Sequence, residues 1–397
     1  MEKQVKLNEK KLKIALFIDT FYPMIDGVIQ VVDNYAKRLC KTHDVTVFTI
    51  KPRKKGFDDS TLPYKVVRCK RIKLPFLDYD MPTPKFDSKF KKAIFNEKFD
   101  IVHIHSPFGI GKLGVKYAKK NNVPVVATLH SQYYKDFLKE SHSKVIAKLL
   151  LKNIIKVFNR CDECWAVNKG ISELYKNEYK LKAHIYVQHN ATDLINPNFS
   201  TKELTCFDNK YNLKSDENIL LFVGRLTSLK NIFFIADALR ILKNKKFNFK
   251  MVYVGSGPDE DKLKKTIINY KLTDNVIFAG KICDKNELSK FYNRANLFLF
   301  PSAYDTDGLV KYEAACFNTP TLSLKGLYCS SNIKDQVNGY LSENSVEDFA
   351  NTIIKIFDNK KQYEEVCLNC HKDLYVTWDD AVKLAEKDYF RLIDAKK

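Results

Sequence analysis

The sequence predicts an α/β protein of two domains, each a parallel sheet with helices on both faces. Three observations carry this. Short apolar runs alternate with stretches of helical spacing, the pattern of repeated β-α-β units. The alternation is interrupted by a polar stretch around residues 195–217 and then restarts. And 397 residues are more than a single core usually serves. The boundary is placed near residue 200, giving domains over 1–200 and 201–373, with a further helical segment at the C-terminus.

Lys13 to Asp19 reads as a first buried strand, followed by a loop holding Pro23, Asp26 and Gly27. Val28, Val31, Val32, Tyr35, Ala36 and Leu39 then recur at helical spacing. Val45–Ile50, Ile101–His105 and Val123–Leu129 are the next strands, the last two joined by a helix over Gly111–Lys120. After the polar stretch come a strand at Ile219–Val223 and a helix over Phe234–Lys243. Further strands follow at Phe249–Val254, Val276–Phe278 and Leu297–Phe300. The chain ends in helical periodicity from Leu374 through Trp378 to Ile393.

Composition narrows the class. The content of apolar residues is that of a globular protein with a core. The apolar run Ile14–Ile18 is too short for a secretory signal, and nothing approaches the ~20 apolar residues of a membrane span. A cytoplasmic protein with its ten cysteines reduced is therefore expected. The net charge of +20 is unevenly spread: residues 1–200 carry 37 Lys+Arg against 20 Asp+Glu, residues 201–397 carry 30 against 27. The first half should meet something anionic, such as an acidic membrane face.

Two loops carry the chemistry. Pro301 ends an apolar run, and Asp305-Thr-Asp-Gly308-Leu309-Val-Lys-Tyr-Glu313 follows, with helical spacing after Gly308. This reads as strand, loop and helix, with one carboxylate in the loop and a second eight residues on. Such a loop can present backbone N–H groups to a phosphate, while the two carboxylates accept hydrogen bonds from sugar hydroxyls. Gly224-Arg225-Leu-Thr-Ser-Leu-Lys230-Asn231 likewise leaves a strand and opens a helix. Its Arg and Lys, five apart, suit a diphosphate: one is a planar fork, the other a mobile point charge.

Both segments resemble family 4 retaining glycosyltransferases. Asp305 to Glu313 is similar to the family's E-x7-E motif, and Glu313-Ala-Ala-Cys-Phe-Asn-Thr-Pro320 to its E-A-x-A-x-G-x-P; Gly224 to Asn231 resembles its G-R-x5-K-N. Asp305 stands where Glu is usual, and Asn318 where Gly is usual. The resemblance covers most of the chain, bacterial diacylglycerol glucosyltransferases and related cell-envelope enzymes included. It implies a GT-B fold: two Rossmann-like domains facing a central cleft, with the C-terminal helix, residues 374–397, crossing back to the first domain.

The same resemblance implies roles. Arg225 and Lys230 hold the diphosphate of a nucleoside-diphosphate sugar and neutralise the leaving group, in place of a metal ion. The Gly308 and Leu309 amides assist. Glu313 takes the ribose hydroxyls and Asp305 the donor sugar. Gly224 and Gly257, the latter in Gly255-Ser-Gly257-Pro258, line the nucleotide loops, and main-chain contacts to the base are expected near Lys281 and Ile282. Gly27 belongs to a loop that approaches the donor phosphates; its neighbour Asp26, where a second Gly is usual, is expected to point to the acceptor or solvent. His130, ending the run Val123–Leu129, faces the transferred sugar. Retention through an internal-return, front-face path is implied, with no cofactor and no bound metal.

Other patterns were weighed against metal or haem binding. His103 and His105 alternate on a strand without an evident third ligand and are expected to be structural, or, for His105, an acceptor contact. Cys161-x-x-Cys164, Cys367-x-x-Cys370-His371, Asp78-x-Asp80 and Asp305-x-Asp307 mimic metal or haem motifs, and none is read as a site. Lys144, Lys148, Lys152, Lys156 and Arg160 form a stripe at four-residue spacing on a helix rich in apolar residues, the pattern of a helix lying in a membrane interface; a core helix with solvated lysines is the competing reading. Lys85 to Lys98 adds basic residues nearby in sequence. The expected reaction is hexose transfer from UDP-glucose to a membrane lipid such as diacylglycerol. A soluble glucan or cell-surface polysaccharide precursor is the alternative acceptor, and an inactive nucleic-acid-binding protein a further alternative.

Overall fold

The computed structural model describes residues 10–24, 26–52, 57–72 and 81–397. The Asp78-x-Asp80 segment lies outside them. The chain divides into two compact units: residues 1–167, 171–189 and 378–397 form unit 1, and residues 168–170 and 190–377 form unit 2.

Unit 1 is built on strands β1 (Lys13–Phe17), β2 (Asp44–Ile50), β3 (Lys65–Cys69), a short hairpin β4–β5 (Arg71–Ile72, Met81–Pro82), β6 (Ile101–Ile104), β7 (Val125–Leu129), β8 (Glu163–Ala166) and β9 (Ile185–Val187). Seven of them make one sheet in the order β3-β2-β1-β6-β7-β8-β9, parallel throughout. The near-continuous burial of β1, β2, β6 and β7 is what a parallel sheet covered on both faces requires. Helices α1 (Gly27–Leu39), α2 (Ser88–Phe95), α3 (Gly109–Lys120), α4 (Tyr133–Ser141), α5 (Lys144–Phe158) and α6 (Lys169–Glu173) come from the connections.

Unit 2 repeats the plan. Strands β10 (Asn218–Val223), β11 (Phe249–Val254), β12 (Val276–Gly280), β13 (Leu297–Phe300), β14 (Thr321–Leu324) and β15 (Tyr340–Ser342) pair in parallel in the order β12-β11-β10-β13-β14-β15. Helices α7 (Thr201–Tyr211), α8 (Ile232–Asn244), α9 (Glu260–Asn269), α10 (Lys285–Arg294), α11 (Val310–Cys316), α12 (Val346–Asp358) and α13 (Lys360–Leu374) flank it. One apolar cluster packs α8 and α12 on one face, the other packs α7, α10 and α11 on the opposite face. The last helix, α14 (Trp378–Asp394), belongs to unit 1, where Tyr389 bonds His103 at 2.6 Å and Arg391 clamps Glu163 through both oxygens.

Two local expectations are corrected. The polar stretch around 195–217, read as an interruption of the alternation, holds a helix, α7, started by a capping box in which Ser200 and Glu203 satisfy each other's backbone N–H groups. The terminal periodicity is not one helix. Helix α13 stops at Leu374, Tyr375 is extended, and α14 begins afresh at Trp378.

Candidate functional site

In each sheet the strand order reverses beside the first strand, and the loops leaving the carboxyl ends of the strands on either side of that point bracket a crevice where ligands bind in such folds. In unit 2 those strands are β10 and β13. Their loops are residues 224–231 and 301–309, the two segments singled out from the sequence.

The structure ties these loops together. Lys230 Nζ lies 2.5 Å from Asp305 Oδ1. Asn231 donates to the Pro301 carbonyl at 2.7 Å, and Ser302 Oγ to the Leu229 carbonyl at 3.4 Å. So Lys230 and Asp305, expected to serve diphosphate and sugar separately, hold each other. Arg225 is exposed and has no ion-pair or hydrogen-bond partner among the described residues. It is the open cation of the loop.

The glycines are explained by close approach. Gly224 has φ +156°, and a Cβ on Gly255 would fall 1.9 Å from its carbonyl oxygen. A Cβ on Gly257 would sit 2.2 Å from the Leu226 carbonyl oxygen, so the β11 loop can lie against the β10 loop only without one. Gly308, with φ +79°, rests on the Phe300 ring, and a Cβ there would be 2.4 Å from it. Leu309 is the N-cap residue of α11.

Glu313 lies in the first turn of α11 and is half-buried. Its Oε2 accepts from Tyr292 at 2.7 Å. Burial pushes its carboxyl above the ordinary glutamate range, against that hydrogen bond.

Sequence reasoning passed over the group that fixes this loop. Asp307 is buried and receives Lys311 Nζ at 2.8 Å, Tyr312 Oη at 2.9 Å, Asn168 Nδ2 at 3.1 Å and Asn190 Nδ2 at 2.7 Å. Lys311 is fully buried and also donates to the Cys329 carbonyl and to Asn332. The signal was present as Asp and Lys at i, i+4 across a helix start, but nothing in the sequence says that such a pair is buried.

In unit 1 the matching position is the end of β1 and β6. Gly27 opens α1, and Asp26 before it is half-buried. It caps the helix, accepting from Ile29 N at 2.8 Å. His130 follows β7, is buried, and lies with Nε2 3.1 Å from His105 Nδ1. His105 Nε2 is buried without a hydrogen-bond partner among the described residues. His103 is held between Tyr389 and Thr128. Burial, reinforced by the neighbouring rings, keeps His103 and His105 well below the usual histidine range, so both are neutral.

Helix α5 resolves the two readings of its stripe into halves. Ile154, Ile155, Val157 and Phe158 pack into the core, whereas Val145, Ile146, Leu149 and Leu150 are exposed, Val145 to 77%. Lys144, Lys148, Lys152, Lys156 and Arg160 are all exposed. Among the described residues, no helix is long and apolar enough to cross a membrane, and no three His, Cys, Asp or Glu residues are grouped to hold a metal. Cys161 and Cys164 are buried at the end of α5 and in β8, and Cys367 and Cys370 lie on α13.

Comparison with known proteins bears on this geometry. Residues 25–195 match the description "Glycosyltransferase Family 4", and residues 206–370 match "Glycosyl transferases group 1". The chain is a GT-B glycosyltransferase related to family 4. An alpha-monoglucosyldiacylglycerol synthase of Acholeplasma laidlawii is 25% identical over 88% of this chain and 89% of its own. A capsular polysaccharide biosynthesis glycosyltransferase, CapH, of Staphylococcus aureus is 27% identical over 71% of this chain and 76% of its own. Among solved structures, the HepE protein of Anabaena in complex with UDP superposes with a TM-score of 0.74 at 14% identity, over 96% of this chain and 100% of that one, a likeness of fold.

Proposed function

We propose that this glycosyltransferase transfers a hexose, with retention, from a nucleoside-diphosphate sugar bound on unit 2, and that UDP-glucose is the donor. The observation that carries the reading is the cross-loop pair: Arg225 stands open and Lys230 bonds Asp305 where the β10 and β13 loops meet. A diphosphate arriving there draws Lys230 from the Asp305 carboxylate and binds Arg225 as well. Asp305 is thereby released to accept from a sugar hydroxyl, so donor binding itself arms the residue. Both cations neutralise the leaving diphosphate, the electrostatic service that dominates such transfers. Gly308 and Leu309 supply main-chain donors to the same phosphates, and Gly224 and Gly257 let the backbone come close.

Glu313 is assigned to the ribose. Tyr292 occupies Oε2, which leaves Oε1 for a ribose hydroxyl and keeps the carboxyl oriented. His130, on unit 1, is assigned to the transferred sugar. Its bond to His105 fixes the ring, and the neutral state of His105 and His103 suits a group that exchanges hydrogen bonds rather than charge.

For the acceptor, we propose a cell-envelope glycoconjugate precursor held at the cytoplasmic membrane face, diacylglycerol being the first candidate. The exposed apolar and basic face of α5 supports a lipid surface, and so does the name of the Acholeplasma relative. The Staphylococcus relative's name supports the second reading, a polysaccharide precursor. UDP release from UDP-glucose, measured in EDTA with diacylglycerol vesicles, with vesicles lacking it, or with soluble glucan, tests both. Release only with diacylglycerol establishes the lipid acceptor; release only with glucan moves the assignment to the polysaccharide; no release in any arm removes the pairing of UDP-glucose with either acceptor.

A further inference from the structure

The cations of α5 do more than mark a face. Lys148, Lys152 and Lys156 recur at every fourth residue and stack along one side of the helix. Opposite them the chain leaves a π-helical turn at Leu174–Glu178 and runs through Tyr179 to Lys180, whose φ is +55°. Between lies a groove of about 340 Å³, floored by Leu151 and Ile155. Four ammonium groups line it against one carboxylate, Glu178. None of the four lysines is ion-paired among the described residues.

That is an unrelieved arrangement. Elsewhere some lysines on helices have acids one turn away, as in Glu260–Lys264 and Asp307–Lys311. Here like charges follow each other at i, i+4, which is destabilising in isolation. A ligand that satisfies them must bring concentrated negative charge and several acceptors, and a phosphate group does both. Beside the groove, on the first two turns of the same helix, Val145, Ile146 and Leu149 are exposed. A phosphate adjoining hydrocarbon is the chemistry of a phospholipid.

We propose that this groove binds the phosphate of an anionic phospholipid headgroup, one lipid at a time, while Val145, Ile146 and Leu149 enter the acyl boundary. The proposal rests on the membrane reading of the acceptor and makes it specific: docking depends on a built site, not on net charge alone.

Two variants separate these. Lys180→Gln removes a charge from the far wall of the groove, off the helix, and Gln is no more strained at that φ than Lys. Lys144→Gln removes a charge from the helix stripe but outside the groove. Both are measured by cosedimentation with phosphatidylcholine vesicles containing phosphatidate, with the circular dichroism spectrum confirming the fold and Lys152→Gln as a second groove variant. The expected result is a loss of tenfold or more for Lys180→Gln and Lys152→Gln. Lys144→Gln should lose only about fivefold, the ~1 kcal/mol of one basic residue near an anionic surface. Leu149→Ser should weaken binding to every anionic vesicle. Equal losses for Lys180→Gln and Lys144→Gln overturn the proposal in favour of diffuse attraction. Competition by millimolar inorganic phosphate, sufficient to strip the protein from vesicles, overturns it in favour of a free-anion site. UDP binding, followed by calorimetry on the same samples, reports separately on the donor reading.

Discussion

The two units share a plan and differ in what they place at its functional edge. Each sheet reverses its strand order beside its first strand. At that edge, unit 1 puts packed rings and one buried carboxylate: His103 and His105 lie with centroids 3.9 Å apart, His105 and His130 5.3 Å apart, and Asp19 accepts from Ser106 Oγ and Ile110 N. Unit 2 puts charges: Arg225, the Lys230–Asp305 pair, the Asp307–Lys311 pair and Glu313. The topology therefore decides where a ligand can sit, and the loop residues decide what kind. The comparison fails if the charged hub of unit 2 proves dispensable, so that is the first place to press it.

The largest effect is expected at Lys311. Lys311→Met removes the cation bonded to a buried Asp307, and breaking one side of a buried pair costs about 3–5 kcal/mol. The double variant Asp307→Asn/Lys311→Met should recover much of that loss. Both tryptophans, Trp165 and Trp378, belong to unit 1, so fluorescence watches the wrong unit. Hydrogen exchange of β13 and α11 amides is the measurement. A single-variant loss below about 1 kcal/mol, the worth of an ordinary hydrogen bond, would mean that the Asn168, Asn190 and Tyr312 bonds alone hold the loop.

Next comes a change in affinity without a change in fold. Arg225→Ala is expected to weaken UDP binding by about 10- to 100-fold, the worth of a charge-assisted hydrogen bond of roughly 1.5–3 kcal/mol. Its melting temperature should not move, because the side chain is exposed and unpartnered. Lys230→Ala should alter both, since it also releases Asp305. Calorimetric titration with UDP and a melting curve on each variant decide the matter; a shifted melting temperature for Arg225→Ala would count against its being the open cation.

Acid acts with opposite sign on the buried histidines of unit 1 and on Glu313 of unit 2, while Asp19 and Asp26 of unit 1, raised by burial, run with Glu313. Below the ordinary histidine pKa of ~6.5 the unfolded chain takes up protons that buried His103 and His105 refuse. The histidine contribution to unit 1 is therefore lost as pH falls from about 7 to 5, by up to ~1.4 kcal/mol per pH unit for each histidine. Glu313 runs the other way: its raised pKa makes the folded state hold a proton the unfolded chain releases, a contribution present at low pH and lost as pH rises through the folded value. Urea unfolding followed by the fluorescence of Trp165, which lies 5.0 Å from the His103 ring, should show the unit 1 slope, and His105→Asn should reduce it by about half. A slope unchanged by that substitution would assign the acid sensitivity elsewhere.

How much of this was legible in the sequence follows from the range of the forces involved. Buried parallel strands announce themselves as apolar runs, so β1, β2, β6, β7, β10, β11, β12 and β13 were readable. The edge strands β9 and β15 are three residues long, too short to stand out. Helix α7 was missed although Ser200 and Glu203 spell its cap, because a polar surface helix has little apolar periodicity. The loops after β10 and β13 were readable because their motifs are set by local spacing. The Asp307–Lys311 hub was not, since its meaning depends on Asn168 and Asn190, more than a hundred residues away in sequence. Likewise the stripe on α5 was visible, but the groove needed Lys180.

The smallest expected effect is also the sharpest contrast between the units. Asp26 and Asp305 are both acids in loops after a sheet strand, and both sit where the family pattern prefers something else. Asp26 accepts from Ile29 N and closes the start of α1; Asp305 accepts from a lysine of another loop. Asp26→Ala is therefore expected to cost about 1 kcal/mol of stability, the usual worth of an N-cap, and to leave UDP-glucose affinity untouched. Asp26→Ser, which can cap in the same way, should restore the stability. Should Asp26→Ala leave the melting temperature alone and instead change affinity for UDP-glucose, the acid is a ligand rather than a cap. In that event a charge of unit 1 would take part in the donor chemistry, and the contrast between Asp26 as a cap and Asp305 as a ligand would not hold.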